Sequence, residues 1–269
     1  MSLAKILINS ISEMEDDERR SELKSLLGSG YNSFINRLKS GATDVKTVAA
    51  LKSGLEDRSY SDDKLTISNL NIKVTALKPC QNEIDMTQSL FYPLTDITTA
   101  TNCLRGSGVV IKEPIIIFKG KYVIDGHHRW SQVFAVNSNA TVLAENLGMP
   151  TSDPMKVLAG VQMAIAAKSG TVPTSTVSGT NLFSVSKSAL VSFVLGHIKP
   201  EIVSVFSQFN RGSNPGEIAN YIWSNIEVMR STSKPISGAP PRGLMPQTDQ
   251  APGWDRTMAT GVVNWNDPL

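Results

Sequence analysis

The sequence predicts an α/β protein, and three observations carry that prediction. The run Pro114-Ile115-Ile116-Ile117-Phe118 has the length and composition of a buried strand. The turn residues Lys119-Gly120-Lys121 and a second apolar run, Tyr122-Val123-Ile124, follow it in the pattern of a β-hairpin. Beyond these, Trp130, Val133 and Phe134 recur at helical spacing, so residues 125–129 stand where a strand hands over to a helix.

The elements around this core read as four regions. Residues 1–63 form an N-terminal helical region. Ile6, Leu7, Ile11 and Met14 keep helical spacing, as do Leu23, Leu26 and Leu27. Gly28-Ser29-Gly30 interrupts the pattern, and Phe34, Ile35 and Leu38 resume it. The polar stretch 56–63 is a connection. Residues 64–150 are the α/β core, entered through alternating Leu65, Ile67, Leu70, Ile72 and Val74, which suit a strand.

Residues 151–231 are helical. Asp153-Pro154 marks a helix start, an N-cap followed by proline at the first helical position. That helix is rich in Ala, Val and Met, so it is expected to be packed over much of its surface, and it stops at Ser169-Gly170. A Ser/Thr/Val/Gly loop covers 171–180, and further helices are expected near 185–197, 200–210 and 215–230. Residues 232–269 are an extended Pro/Gly-rich tail. Trp254, Met258, Val262, Val263 and Trp265 are too apolar for a purely solvated tail, so it is expected to dock on its own domain or on a neighbouring subunit, which would make a homo-oligomer.

Composition sets the wider bounds. A chain of 269 residues can bury a sizeable core, and a formal charge of +2 neither demands nor forbids a nucleic-acid partner. Cys80 and Cys103 are the only cysteines and form no Cys-x-x-Cys pair, so reduced thiols in a cytoplasmic protein are expected, with no zinc site and no metal ligand set. No apolar run reaches membrane-spanning length, and the acidic stretch 13–18 does not suit a secretory signal.

The richest chemistry lies in Asp125-Gly126-His127-His128-Arg129, which holds two of the three histidines. A helix start offers unpaired N–H groups and positive potential, glycine lets the backbone come close, and arginine adds a planar donor fork, so the segment suits phosphate. Asp125 could orient a histidine, bind a metal through water or serve as a base, and each is compatible with a role as N-cap. Adjacent residues at a helix start point in different directions, so one histidine is expected to face ligand while the other packs inward. Trp130 is expected to anchor the core. Arg105-Gly106-Ser107-Gly108 is a Gly-rich turn carrying a cation, either a ligand loop or a plain one. Gln81 and Asn82 would read a base or sugar edge, or cap a turn.

The order of an apolar strand, a turn, a second strand, Asp125-Gly126-His127-His128-Arg129 and a helix resembles the ParB/sulfiredoxin superfamily. Leu77-Lys78-Pro79-Cys80-Gln81-Asn82-Glu83-Ile84 is similar to that family's early Pro-x-Gln motif. The resemblance covers about residues 72–147. It implies a mixed-sheet core with flanking helices and a nucleotide-phosphate site at the helix start. The chain has His127-His128 where sulfiredoxins carry their catalytic cysteine, which argues against that chemistry. The Asp-Gly-His-His-Arg version resembles the archaeal free-serine kinase branch and ParB-like nuclease proteins. By that likeness, ATP or ADP with Mg²⁺ would bind through Gly126, His128, Arg129, Arg105 and Gln81. Asp125, Glu83 or His127 would act in phosphoryl transfer to a small hydroxyl acceptor. The alternatives are a nuclease or a nucleotide-gated DNA-binding protein without catalysis.

Overall fold

A computed structural model of the chain describes residues 28–42, 44–55, 58–149, 151–169, 172, 179–248, 253 and 259–264, with residues 17, 18, 21, 24 and 25. The expectations that rest on Ile6, Leu7, Ile11, Met14, Leu23, Leu26 and Leu27, and on Trp254, Met258 and Trp265, lie outside the described residues. The protein is mixed α/β, with a five-stranded sheet. The four sequence regions regroup into two compact units, residues 1–66, 149–175 and 246–269 against residues 67–148 and 176–245. The helical region 151–231 is thereby divided: its first helix belongs to one unit and the rest to the other.

The second unit contains the sheet. Strands β1 (Thr66–Lys73), β2 (Lys78–Pro79), β3 (Ile115–Phe118), β4 (Tyr122–Asp125) and β5 (Thr141–Gly148) run in the spatial order β1-β5-β3-β4-β2. β3 and β4 form the expected hairpin, Phe118 opposite Tyr122, and Lys121 N–H closes the turn on Phe118 O at 3.1 Å. β3 is buried along its whole length, as its unbroken apolar run requires of a strand covered on both faces. It pairs in parallel with β5, Ile115 opposite Ala144, while β4 pairs in parallel with the two residues of β2.

Helices α3 (Met86–Thr95), α4 (Ile97–Arg105) and α5 (His127–Val136) lie between strands in sequence, and α7 (Lys187–His197), α8 (Pro200–Gln208) and α9 (Pro215–Thr232) follow the sheet. Four of these six starts have a side-chain cap: Asp85, Asp96, Ser186 and Asn214 accept N–H groups of the first turns of α3, α4, α7 and α9. α5 packs against α3, α4 and α9. Trp130 is fully buried, meets Phe134 edge-to-face at 5.6 Å, and donates its indole N–H to Val74 O at 3.0 Å. Burying an aromatic of this size contributes about 1.5–3 kcal/mol, which makes Trp130 an anchor of α5 against the turn that follows β1.

The first unit is helical: α1 (Tyr31–Lys39), α2 (Val45–Leu51) and α6 (Pro154–Ser169). Tyr31, Phe34, Ile35 and Leu38 give α1 one apolar face, and both α1 and α2 pack on α6. Asp153 accepts Met155 N–H at 2.8 Å, the N-cap expected from Asp153-Pro154. Residues 157–166 of α6 are buried almost without a break, as their apolar composition predicts. Val263 bridges Ser53, and Asn264 N–H reaches Lys52 O at 2.8 Å, so part of the tail is held on its own unit. Among the described residues no single helix is long and apolar enough to cross a membrane.

Candidate functional site

β4 ends at Asp125 and α5 begins at His127, as the sequence predicts, but the residue between them sets the geometry. Gly126 is the N-cap, left-handed with φ 83°, and Trp130 N–H bonds its carbonyl at 2.9 Å. Asp125 is therefore the last strand residue, which corrects its expected N-cap role. A side chain at Gly126 would bring Cβ to 2.8 Å from Ile115 Cγ2 and 2.9 Å from Arg129 Nε, so both backbone angle and space call for glycine. The N–H groups of His127, His128 and Arg129 open the helix without intrahelical acceptors, at its positive end.

Arg129 does not project from that turn. Its Nη2 donates to Asp125 Oδ2 at 2.7 Å, and Nη1 lies 2.7 Å from Glu113 Oε1 and donates to Pro114 O at 3.1 Å. The guanidinium thus ties β4, α5 and the entry to β3 together. Arg129, expected to hold phosphate, and Asp125, expected as base or N-cap, are thus paired with each other in this structure.

The two histidines do part company. His127 is buried, and its Nε2 accepts Cys80 N–H at 3.2 Å, joining the end of β2 to α5. Burial, then His128 and Arg242, push its pKa down to about 3, so it stays neutral. His127, expected as a catalytic group, is thus a buried imidazole that ties the residue after β2 to α5. His128 is half-buried and meets a different part of the same segment. Its Nε2 lies 3.3 Å from Asp85 N–H and its Nδ1 3.5 Å from Arg242 Nη1. Burial and then Arg242 hold its pKa near 3 as well, at about 3.

The segment 81–85 forms the facing rim. Gln81 is buried and spends its amide on Glu83 O, so it is a turn cap and not a reader of a base edge. Asp85 caps α3, accepting Gln88 N–H at 2.7 Å. Glu83 is exposed, and its Oε2 accepts Arg242 N–H at 3.0 Å. Arg242, from the Pro240-Pro241-Arg242-Gly243 stretch, is the site residue that sequence reasoning missed. The Pro/Gly-rich composition of this stretch carries no sign of where it goes.

Arg105 lies elsewhere. Gly106, next to it, packs against Asn137 and Ala140 at the C-terminal end of α5, about 15 Å along the helix from its first turn at 1.5 Å per residue. The Arg105–Gly108 turn therefore does not line the site. Among the described residues no three His, Cys, Asp or Glu side chains come together to hold a metal ion. Comparison with protein-family models, with curated proteins and with solved structures finds no match.

Proposed function

We propose that the chain is a nucleotide-binding protein of ParB/sulfiredoxin-like fold that holds the phosphates of ATP or ADP against the first turn of α5. In its enzymatic form it moves a phosphoryl group to a small hydroxyl acceptor. The observation that carries this reading is the β4–Gly126–α5 turn: a left-handed glycine, crowded where a side chain would be, opening a helix whose first N–H groups lack intrahelical partners. His128 stands in that first turn with Arg242 beside it, so positive charge and donors meet where an anion would lie.

Phosphoryl transfer rests on positioning and charge neutralisation, so it asks little covalent chemistry of the protein. Glu83 is the carboxylate best suited to take a proton from an acceptor hydroxyl, because it is exposed and held by Arg242 N–H. The described residues do not build a resident Mg²⁺ cage. The ion would arrive on the nucleotide, where Mg²⁺ commonly keeps phosphate and water ligands beside one or two carboxylates, and it would there neutralise phosphate charge.

The test is a thermal-shift panel of ATP, ADP, CTP and GTP with and without Mg²⁺, with single- and double-stranded DNA as further arms. Ligand at 100 times its Kd stabilises by about 2.7 kcal/mol, which such a scan resolves. A shift with ATP or ADP is expected. DNA alone raising the melting temperature would favour the DNA-binding or nuclease alternative, and no shift with any nucleotide would end this reading. A nucleotide-positive result is followed by phosphate release and transfer assays on small alcohols and hydroxy amino acids.

A further inference from the structure

His128 cannot satisfy both of its neighbours. A neutral imidazole has one N–H and one acceptor nitrogen. If Nε2 accepts Asp85 N–H at 3.3 Å, the proton is on Nδ1 and points at Arg242 Nη1, another donor, 3.5 Å away. The other tautomer accepts from Arg242 and sets an N–H against Asp85 N–H. The imidazolium opposes donors on both sides. In every protonation state available near neutral pH, at least one pair of donors faces each other with no acceptor between them.

Arg242 adds to the deficit. Its Nε is buried with no hydrogen-bond partner, and no carboxylate among the described residues pairs with its guanidinium. The nearby carboxylate of Glu83 takes the backbone N–H of Arg242 instead. The backbone here is fixed: Ile236 N–H bonds Pro79 O at 3.2 Å, and Asn82 N–H and side-chain amide bond Pro240 O at 3.0 Å and Ala239 O at 2.9 Å. The segment 236–242 is a strap laid on the 79–83 loop, and it delivers one cation to one histidine. Buried donors left unpaired are costly, and a charged one more so, so the arrangement is built around an acceptor that the protein does not supply.

We propose that Arg242 and His128 are the two side-chain arms of an anion clamp that takes a phosphate oxygen of the bound nucleotide. An oxygen set between Arg242 and Nδ1–H accepts from both and removes the donor–donor contact. The inference rests on the nucleotide reading above and adds the residue, from the far end of the unit in sequence, that distinguishes a phosphorylated ligand from a bare nucleoside.

The experiment is calorimetry of ATP, ADP, pyrophosphate and adenosine on the full chain and on Arg242→Gln and Arg242→Lys. Both substitutions keep the backbone N–H that holds Glu83, and unfolding curves check that the fold is intact. Arg242→Gln should weaken ATP, ADP and pyrophosphate at least tenfold and leave adenosine unchanged, a dependence on phosphate that a purely structural residue would not show. Arg242→Lys should fall between, since lysine keeps the charge and loses the planar fork. Equal ATP affinity in the full chain and Arg242→Gln would overturn the clamp while the nucleotide reading stands. Arg242-dependent binding of pyrophosphate without any nucleotide binding would uphold the clamp and remove the nucleotide reading. No binding of any of the phosphates would overturn the clamp.

Discussion

Arg129 and Asp125 stand four positions apart and 2.7 Å apart, one on α5 and the other at the end of β4, with Gly126 bent between them. The pair is a clasp across the turn. Each side chain is mostly covered, and Arg129 also reaches Glu113 and Pro114.

Arg129→Ala is therefore expected to cost stability before it costs affinity. Hydrogen bonds to charged groups contribute about 1.5–3 kcal/mol each, and the mutation also strands the partly buried carboxylate of Asp125. Asp125→Asn should cost less, because the amide oxygen can still accept from Nη2. Urea unfolding checks the order. A fully stable Arg129→Ala protein would show that the clasp is ornamental.

Stability should fall as the solution is acidified from about pH 6.5 to about pH 3. Both site histidines have pKa values pushed down to about 3 in the folded protein, largely by burial. In the unfolded chain they protonate near pH 6.5. Between those values the unfolded state binds protons that the folded state refuses, so lowering the pH favours unfolding, by at most about 1.4 kcal/mol per pH unit for each histidine. Unfolding free energies measured at about pH 7, 6 and 5 should show the slope, and His128→Gln should flatten it. A slope unchanged in that variant would place the acid sensitivity elsewhere.

The thiols should be silent in the folded protein. Cys80 and Cys103 are buried, and burial pushes the Cys103 thiol up to about 12, far from the reactive thiolate. Neither is expected to react with an aromatic disulfide reagent until denaturant is added, and a double Ser variant that remains folded should keep the nucleotide binding proposed above. Rapid modification of the native protein is the contrary result.

Removing residues 259–269 should destabilise the first unit. Gly54 N–H donates to Val262 O at 3.3 Å and Asn264 N–H to Lys52 O at 2.8 Å, and Val263 is buried. Hydrogen exchange at Gly54 should quicken in the truncated chain, and its melting temperature should drop. Unchanged exchange at Gly54 would mean that this pairing contributes little.

The parts of the fold legible in the sequence were those written in short-range pattern. The β3–β4 hairpin and the start of α5 follow from two apolar runs, a Lys-Gly-Lys turn and a helical stripe, all within residues 114–136. Asp153-Pro154 marked α6 for the same reason. What local pattern does not hold is where elements meet. Nothing in Pro79 announces that two residues suffice for an edge strand beside β4, nor in Arg105 that α4 ends at the wrong end of α5. Arg129 looked like a ligand group because its acceptors, the carbonyls of Glu113 and Pro114, become neighbours only once β3 and β4 are paired. Arg242 was further still from view, since 114 positions separate it from His128.

The interleaving of the two units also sets a timetable. Synthesis proceeds from the N-terminus, and domains generally fold as units as they emerge. The sheet unit has all its segments once residue 245 is made, whereas the helical unit lacks the partner of Ser53 until Val263 appears. The nascent chain would thus finish its later-starting half first, with α1, α2 and α6 waiting for the segment that bridges Ser53. Proteolysis of stalled chains of increasing length would reveal it: protection of the Trp130 region before protection of α6, or the reverse order, which would refute the timetable.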